Sequence, residues 1–534
     1  MRNKTSFLIL ASLFVASALF AKIETPRVFS DNMVLQRNKP VKVWGTSEAN
    51  AEVCVEFSGK NAKTRAGGDG KWTVALPKYP ASKKPAELKL YENGKLSKTI
   101  KNVLVGEVWL ASGQSNMEMP VGALKVKEQA PLNKLVRYFK QPSGSISSSP
   151  KYNNHKDSAW YSADPVADNT KADSQVESWG GNNLDNPIRN FSAVAYFFAN
   201  KLANDLDVPV GILYAARGAT AMLTWIPESG ADKDEWVKKQ FADFKVAVKS
   251  YDDAAYKKRL AEHKKKVADF DAAVAKAKTE KKAPPRMPTW HFRIPPSSVT
   301  PWGLFDSPMC DYNGKMAPIA GYTIRGFLWY QGESNASGKR GEFYAQLKTL
   351  IESWRDVWKS PKMPFLQVQL TSYRESSGWP EARECQRLSS VKMDNVYVAN
   401  TIDLGEEKDI HPSDKREVGE RLEKIAMRRV YGDASVSDSF PTFKDVEYVN
   451  GGALVKFKSA SSLEGKGQPR GFELKIDGKW VSARPELRKG AVFVVAQNNK
   501  KPEGVRYLWK TWTRPDAWLF NSDGLPAFAF KAEK

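Results

Sequence analysis

The chain has 534 residues, room for about three domains of roughly 150 residues and for a large apolar core. A hydrophobic share of 41% with 27% charged residues excludes intrinsic disorder; three cysteines exclude a disulfide scaffold and a four-thiolate zinc site, and four histidines are too few for a His-rich metal centre. The formal charge of +22 is spread from end to end among 60 acids, with no finger, basic zipper or RNA-recognition signature, so it reads as a basic surface suited to acidic partners such as sialylated or sulfated glycans, and not as a nucleic-acid interface.

Taken in chain order, Arg2 and Lys4 precede an apolar run from Phe7 to Phe20 that ends in small residues near Ala18 and Ala21. A charged start, a short apolar stretch and a small-residue cleavage zone predict a signal peptide over residues 1–21, and hence a secreted or periplasmic protein. No other stretch approaches transmembrane length. From residue 22 to 105, short alternating runs such as Val53-Cys54-Val55-Glu56-Phe57 and Trp72-Thr73-Val74-Ala75-Leu76 are punctuated by glycines. That rhythm predicts an N-terminal β-sandwich-like module.

The pattern then changes. The apolar strand Val103 to Ala111 runs straight into Gly113-Gln114-Ser115-Asn116. A strand followed by a tight turn lifts a serine hydroxyl out of the sheet and sets its own N–H where an oxyanion forms. A helix over Phe191 to Leu206, with Val194, Phe197, Phe198 and Leu202 at helical spacing, leads into the strand Val210 to Leu213 and then Arg217-Gly218-Ala219-Thr220. Residues 231–288 form a Lys-, Glu-, Asp- and Ala-rich insertion, read as one or two exposed helices closed by a Pro-rich linker. The strand Ile324 to Tyr330 is followed by Gly332-Glu333-Ser334-Asn335, whose asparagine amide can reach an oxyanion, and by a helix with Phe343, Leu347, Leu350, Ile351 and Trp354 on one face. Two further strands, Phe365 to Leu370 and Val396 to Ile402, complete an alternation that predicts an α/β domain with a doubly wound parallel sheet, with chemistry at the carboxyl ends of its strands.

Of the four histidines, His263 falls in the charged insertion, His155 in a polar loop, and His291 between aromatic neighbours that can pack it. His411 follows the last sheet strand and precedes the helical stretch Ser413 to Val430, from where an imidazole can swing over the strand ends toward Ser115. A carboxylate on its Nδ1 would orient it. Asp409 is closest in sequence, Asp403 is a serious alternative and Asp414 a weaker one. After residue 430, short strands such as Ala453 to Phe457 and Val492 to Val495 predict a C-terminal β module over 431–534.

Ser115 in Gly-Gln-Ser-Asn, Gly218, Asn335 and His411 resemble the four blocks of the SGNH hydrolase superfamily. Phe29 to Gln36, Val105 to Met117, Trp329 to Asn335, Asp403-Leu404-Gly405, Ile410-His411-Pro412 and Asn521 to Ala527 resemble, more narrowly, the bacterial sialate O-acetylesterase family. That resemblance spans nearly all of the chain after residue 21. It implies an SGNH-like three-layer fold over 106–430 between N- and C-terminal β-sandwich-like modules, acting on O-acetylated glycans or sialic acid without a metal or organic cofactor. It further implies Ser115 as nucleophile, His411 as base, Asp409 or Asp403 as the acid, the Ser115 and Gly218 N–H groups with the Asn335 amide as the oxyanion hole, and Gln114, Gln331 and Glu333 as pocket or bracing residues. Two departures stand out. The family's Trp-Gly-Gly-Thr is replaced by Arg217-Gly218-Ala219-Thr220, so Ala219 is expected to alter the loop and Arg217 to meet an anionic substrate; and Lys408 stands three residues before His411, where the superfamily often has Asp. The competing expectations are a glycan-binding protein on a degenerate hydrolase fold and an acetylxylan-type esterase.

Overall fold

Alternation of apolar and polar residues builds the first strands. The computed structural model describes residues 23–124, 131–140, 159–162, 188–288, 292–336, 340–374, 378–458 and 463–534. The expected signal peptide over 1–21, His155 and His291 lie outside them. Strands β1 (Val34–Gln36), β2 (Val41–Thr46), β3 (Glu52–Phe57), β4 (Lys60–Arg65), β5 (Lys71–Leu76) and β6 (Ser82–Glu92) form the N-terminal region. β3 pairs antiparallel with β4 and β6, and β2 with β5. Val53, Val55 and Phe57 on β3, and Trp72, Val74 and Leu76 on β5, turn inward as the period of two requires.

Strand β7 (Lys95–Gly113) has 19 residues and serves two sheets. Its first half pairs antiparallel with β6, while from Glu107 onward it pairs in parallel with strands of the central sheet. It is therefore continuous through Val105, where the sequence reading places a domain boundary. The short helix α1 (Ser115–Glu118) follows it directly, then β8 (Val136–Lys140), β9 (Ala159–Ser162), α2 (Ala193–Leu206) and β10 (Val210–Ala216). The insertion supplies α3 (Glu235–Lys249) and α4 (Asp253–Thr279); beyond it come β11 (Gly326–Tyr330), α5 (Arg340–Val357), β12 (Phe365–Val368), α6 (Trp379–Lys392), β13 (Val396–Ala399) and α7 (Lys415–Arg429).

The central sheet has the order β13-β12-β11-β7-β10-β8-β9, parallel except for β9 at the edge. Alternate residues of its strands face two separate cores. Leu110, Leu213, Phe327 and Phe365 join Leu347, Leu350 and Trp354 of α5 and Trp379 of α6. On the other face, Trp109, Ile212, Leu328 and Leu366 join Val194, Phe198 and Leu202 of α2 and Val418, Leu422 and Ile425 of α7. The two insertion helices differ from each other. α4 buries no residue, as expected for a solvated insertion, whereas α3 buries Val237, Phe241 and Phe244 and so belongs to the core.

The C-terminal strands β14 (Thr442–Val449), β15 (Gly452–Lys458), β16 (Leu463–Gly465), β17 (Phe472–Ile476), β18 (Lys479–Arg488), β19 (Ala491–Val495), β20 (Gly504–Tyr507), β21 (Leu519–Asn521) and β22 (Phe530–Glu533) form an antiparallel sheet of seven and a separate β16–β21 pair. Arg383 of α6, buried, joins this region to the central sheet: its guanidinium donates to the carbonyls of Leu370 and Thr371 on one side and of Lys510 and Thr511 on the other. Among the described residues no helix is long and apolar enough to cross a membrane.

Candidate active site

The register of the central sheet brings three strand ends to one level: Gly113 is paired with Ala216 of β10 and with Tyr330 of β11. The chain crosses from the β10 side of β7 to its β11 side here, which makes this edge the switch point of the sheet. Gly113 has φ 143°, and a Cβ there would lie 2.1 Å from the Tyr330 carbonyl oxygen, so only glycine lets β7 and β11 approach this closely before the turn. The next residues therefore leave the sheet as the single turn α1, with Ser115 at its first position.

His411 arrives on the loop between β13 and α7, and its Nε2 lies 2.8 Å from Ser115 Oγ. The two residues are 296 positions apart. Of the three candidate acids, Asp409 stands beside the ring. Its Oδ1 accepts the His411 backbone N–H at 2.9 Å and lies 3.9 Å from Nδ1, beyond hydrogen-bond range. Asp403, the alternative acid, is engaged elsewhere: both of its oxygens accept from the Arg421 guanidinium, at 2.7 and 2.8 Å. Asp414 caps α7 by accepting the Glu417 N–H.

Asn116, next to Ser115, ties the serine turn to the histidine loop. Its Nδ2 donates to the Ile410 carbonyl at 2.9 Å and to Glu333 Oε1, and its Oδ1 accepts from Lys415 Nζ at 2.6 Å. Lys415 also donates to the Pro412 carbonyl. It is fully buried, and desolvation lowers its pKa to about 7 against the attraction of Glu333, Asp409, Glu406 and Asp414. Burial likewise holds Glu333 above the usual carboxylate range, opposed by its hydrogen bonds and by Lys415. Neither Asn116 nor Lys415 was singled out from the sequence. The available signals were the polar residue directly after the serine and a lysine four positions after the histidine.

Gln114, Gln331 and Glu333, expected to line the pocket or brace it, and Arg217, expected to meet a substrate anion, all hold parts of the scaffold. Gln114 Oε1 accepts the Ser334 N–H; Gln331 Nε2 donates to the Thr220 carbonyl and to Asn335 Oδ1; Glu333 holds Asn116. Arg217, expected to meet an anion from the substrate, is ion-paired with Asp311 at 2.7 Å, donates to the Leu304 carbonyl and lies over the Phe305 ring. An internal carboxylate already satisfies it, and it cross-links two loops.

The third face of the site is closed by another carboxylate. The Gly218 N–H donates to Glu118 Oε2 at 2.6 Å. A Cβ on Gly218 would stand 3.4 Å from Ser115 Cβ, so this donor and Ser115 are immediate neighbours. Burial raises the pKa of Glu118, while Lys315, the Gly218 N–H, Arg217 and Lys140 pull it down. Lys315 is itself fully buried, lowered by desolvation to about 8. Ala219 takes φ 64°, a left-handed conformation open to alanine at a cost of about 1–2 kcal/mol, so the loop keeps a turn that the sequence reading reserves for glycine. Asn335 accepts the Met222 N–H on its Oδ1 and donates to Gln346 Oε1, leaving its second amide hydrogen for another acceptor.

Comparison with known proteins follows the same outline. Residues 309–428 match the family described as carbohydrate esterase, sialic acid-specific acetylesterase; the segment includes Asn335 and His411. The chain is 25% identical to the sialate O-acetylesterase of Mus musculus over 95% of its own length and 93% of the mouse protein. It is 24% identical to that of Homo sapiens, covering 90% and 87% respectively. A carbohydrate acetylesterase from Xanthomonas citri has a solved structure that superposes with a TM-score of 0.73 at 27% identity, over 96% of this chain and all of that one.

Proposed function

We propose that this chain, a carboxylic ester hydrolase resembling the sialate O-acetylesterases over nearly its whole length, removes O-acetyl groups from sugars with Ser115 as nucleophile and His411 as base. The observation that carries the proposal is the 2.8 Å contact between His411 Nε2 and Ser115 Oγ at the switch point of a parallel sheet. In the first step Ser115 Oγ attacks the acetyl carbonyl carbon as Nε2 takes its proton. Asp409 stabilises the imidazolium, its carboxylate closing the 3.9 Å gap as charge develops on the ring. The tetrahedral oxyanion is held by the Ser115 N–H, the free amide hydrogen of Asn335 and, once Glu118 withdraws, the Gly218 N–H. Each such donor contributes on the order of 3 kcal/mol. The C–O bond to the sugar breaks, the sugar oxygen leaves with the proton from His411, and water, activated by the same imidazole, releases acetate from Ser115.

The fold reading that accompanies this is an SGNH-type three-layer domain over 106–430, preceded by a β module over 22–105 and followed by another over 431–534. Support for it comes from the parallel strand order and from the helices packed on both faces of the sheet. Export after removal of residues 1–21 rests on the sequence pattern of that segment.

Ser115→Ala and His411→Ala should each lower acetate release from p-nitrophenyl acetate by about 10,000-fold or more, with melting temperatures close to that of the parent protein. Undiminished turnover by a folded, purified Ser115→Ala protein would overturn the mechanism.

A further inference from the structure

His411 sits on the loop between β13 and α7, outside any helix or strand, and its Nε2 lies 2.8 Å from a hydroxyl carried by the end of another strand. A side chain on a loop keeps such a distance only where other groups pin the loop. Four consecutive residues are pinned here by side chains. Asn116 Nδ2 donates to the Ile410 carbonyl at 2.9 Å, and Asp409 accepts the His411 N–H at 2.9 Å. Lys415 Nζ donates to the Pro412 carbonyl at 2.6 Å, and Glu406 accepts the Ser413 N–H at 2.8 Å. Asp409 and Glu406 belong to the loop itself. Asn116 belongs to the serine turn and Lys415 to the start of α7, and these two hold the carbonyls on either side of His411.

The Asn116 amide serves in this way in one orientation. Lys415 Nζ donates to its Oδ1 at 2.6 Å, while its Nδ2 donates both to Glu333 Oε1 and to Ile410. Turned over, the amide would set its oxygen against a carboxylate and a carbonyl, and its NH2 against an ammonium, losing all three contacts together. A cation on one side and an anion on the other therefore fix which end faces the histidine loop. Lys415 is fully buried and stands at the N-terminus of α7, where the helix dipole also opposes positive charge. Packing alone does not account for a lysine there. Glu333, Asp409, Glu406 and Asp414 all attract its charge, and its Nζ lies 5.7 Å from the centre of the Tyr330 ring, at the end of the strand paired with Gly113.

We infer that Lys415 is a positioning residue of this site: by locking the Asn116 amide and the Pro412 carbonyl, it holds the His411 imidazole against Ser115. The inference rests on the esterase reading for the reaction that the imidazole serves, while the lock is a matter of the hydrogen bonds themselves. Lys415 acts through Asn116 and the backbone on the placement of the base, so its loss should appear in kcat and leave KM nearly unchanged.

Lys415→Met should lower kcat for p-nitrophenyl acetate about tenfold, with KM within about twofold of the parent. The double variant Lys415→Met, Asn116→Ala should lose no more than about twofold beyond the larger single loss, because both changes open the same lock. Removing the cation alone alters the charge balance with Glu333 and can weaken the fold. Lys415→Met, Glu333→Gln keeps that balance and should show the same fall in kcat at a melting temperature closer to that of the parent. The ring is followed directly by NMR with 13C at the histidine Cε1 positions, the His411 line being assigned by its loss in His411→Ala. That line should be single and sharp in the parent, and should broaden or divide in both Lys415 variants as the ring samples more than one position. Losses that multiply in the double variant, an unchanged kcat in the charge-balanced one, or an unaltered His411 line would each overturn the positioning role. Acetate release that survives Ser115→Ala or His411→Ala would strike the esterase reading instead, and the His411 line would still decide whether Lys415 holds the ring.

Discussion

The two sides of Ser115 are built on opposite plans. On the histidine side every group already points inward: His411 reaches the hydroxyl, Asp409 stands behind it, and Asn116 ties the two loops together through the Ile410 carbonyl and Lys415. On the oxyanion side the Gly218 N–H is turned to Glu118, whose carboxylate is embedded with Lys315, Arg217, Asp311 and Lys140. In the proposed mechanism one side is assembled for the first proton transfer, while the other has its donor satisfied by Glu118. The contrast teaches that preorganisation in one pocket is not uniform. Burying a second carboxylate beside a serine is tolerable because three cations surround it, but the same carboxylate opposes the charge that must develop there.

The sharpest test of the assembled side concerns which carboxylate serves the imidazole. Asp409→Asn should lower kcat about 100-fold with little change in KM, because the ring loses the charge that stabilises its protonated form. The expected loss is smaller than for a hydrogen-bonded acid, since 3.9 Å leaves Asp409 outside bonding range before substrate arrives. Asp403→Asn should instead lower the melting temperature, because the fully buried Arg421 loses a two-pronged partner, while kcat moves little. The reverse pattern would exchange the two roles.

What the sequence made legible follows from how each feature is encoded. The strands that end at Gly113, Ala216 and Tyr330 are apolar runs bounded by turns, and such local patterns need no knowledge of the rest of the chain. His411 could be picked out because only four histidines exist and the other three fall in poor positions. The choice between Asp409 and Asp403 could not be read, since spacing along a loop does not say which way a carboxylate turns; Arg421, eighteen residues further on, claims Asp403. Arg217 was misjudged for the same reason. Its partner Asp311 lies 94 positions away, so the charge reads as available when it is already neutralised. Glu118 was overlooked although it sits in the turn after Ser115, because its contact with Gly218 exists only once β7 and β10 are paired.

Asn116 tests whether the assembled side depends on one hub. Asn116→Ala removes the link to Ile410 and leaves Glu333 and Lys415 buried without their shared partner. The expected outcome is a fall in kcat of about tenfold, from a looser His411 loop, together with a stability loss of about 2–4 kcal/mol in urea unfolding. Full activity in a destabilised protein would show that the network supports the fold alone and that His411 is held by Asp409 and the chain itself.

Glu118 decides whether the oxyanion side is a closed hole or a fixed brace. Its pKa is raised by burial, so with increasing pH its carboxyl passes from neutral to anionic above the usual carboxylate range, delayed or advanced by the facing Lys315, Arg217 and Lys140 and by Asp311 behind them. The neutral acid can yield the Gly218 N–H to a substrate oxygen; the anion holds that donor more tightly and repels the negative charge of the tetrahedral intermediate. Activity in the parent protein should therefore fall as Glu118 ionises, for a reason separate from His411, which must be unprotonated to act and so favours higher pH. Glu118→Gln keeps an acceptor for Gly218 but cannot ionise. Its kcat/KM on p-nitrophenyl acetate should match the parent within about twofold below the pH at which Glu118 ionises and exceed it severalfold above that pH. Superimposable pH profiles would mean that Glu118 never leaves Gly218, and that the intermediate is held by Ser115 and Asn335 alone.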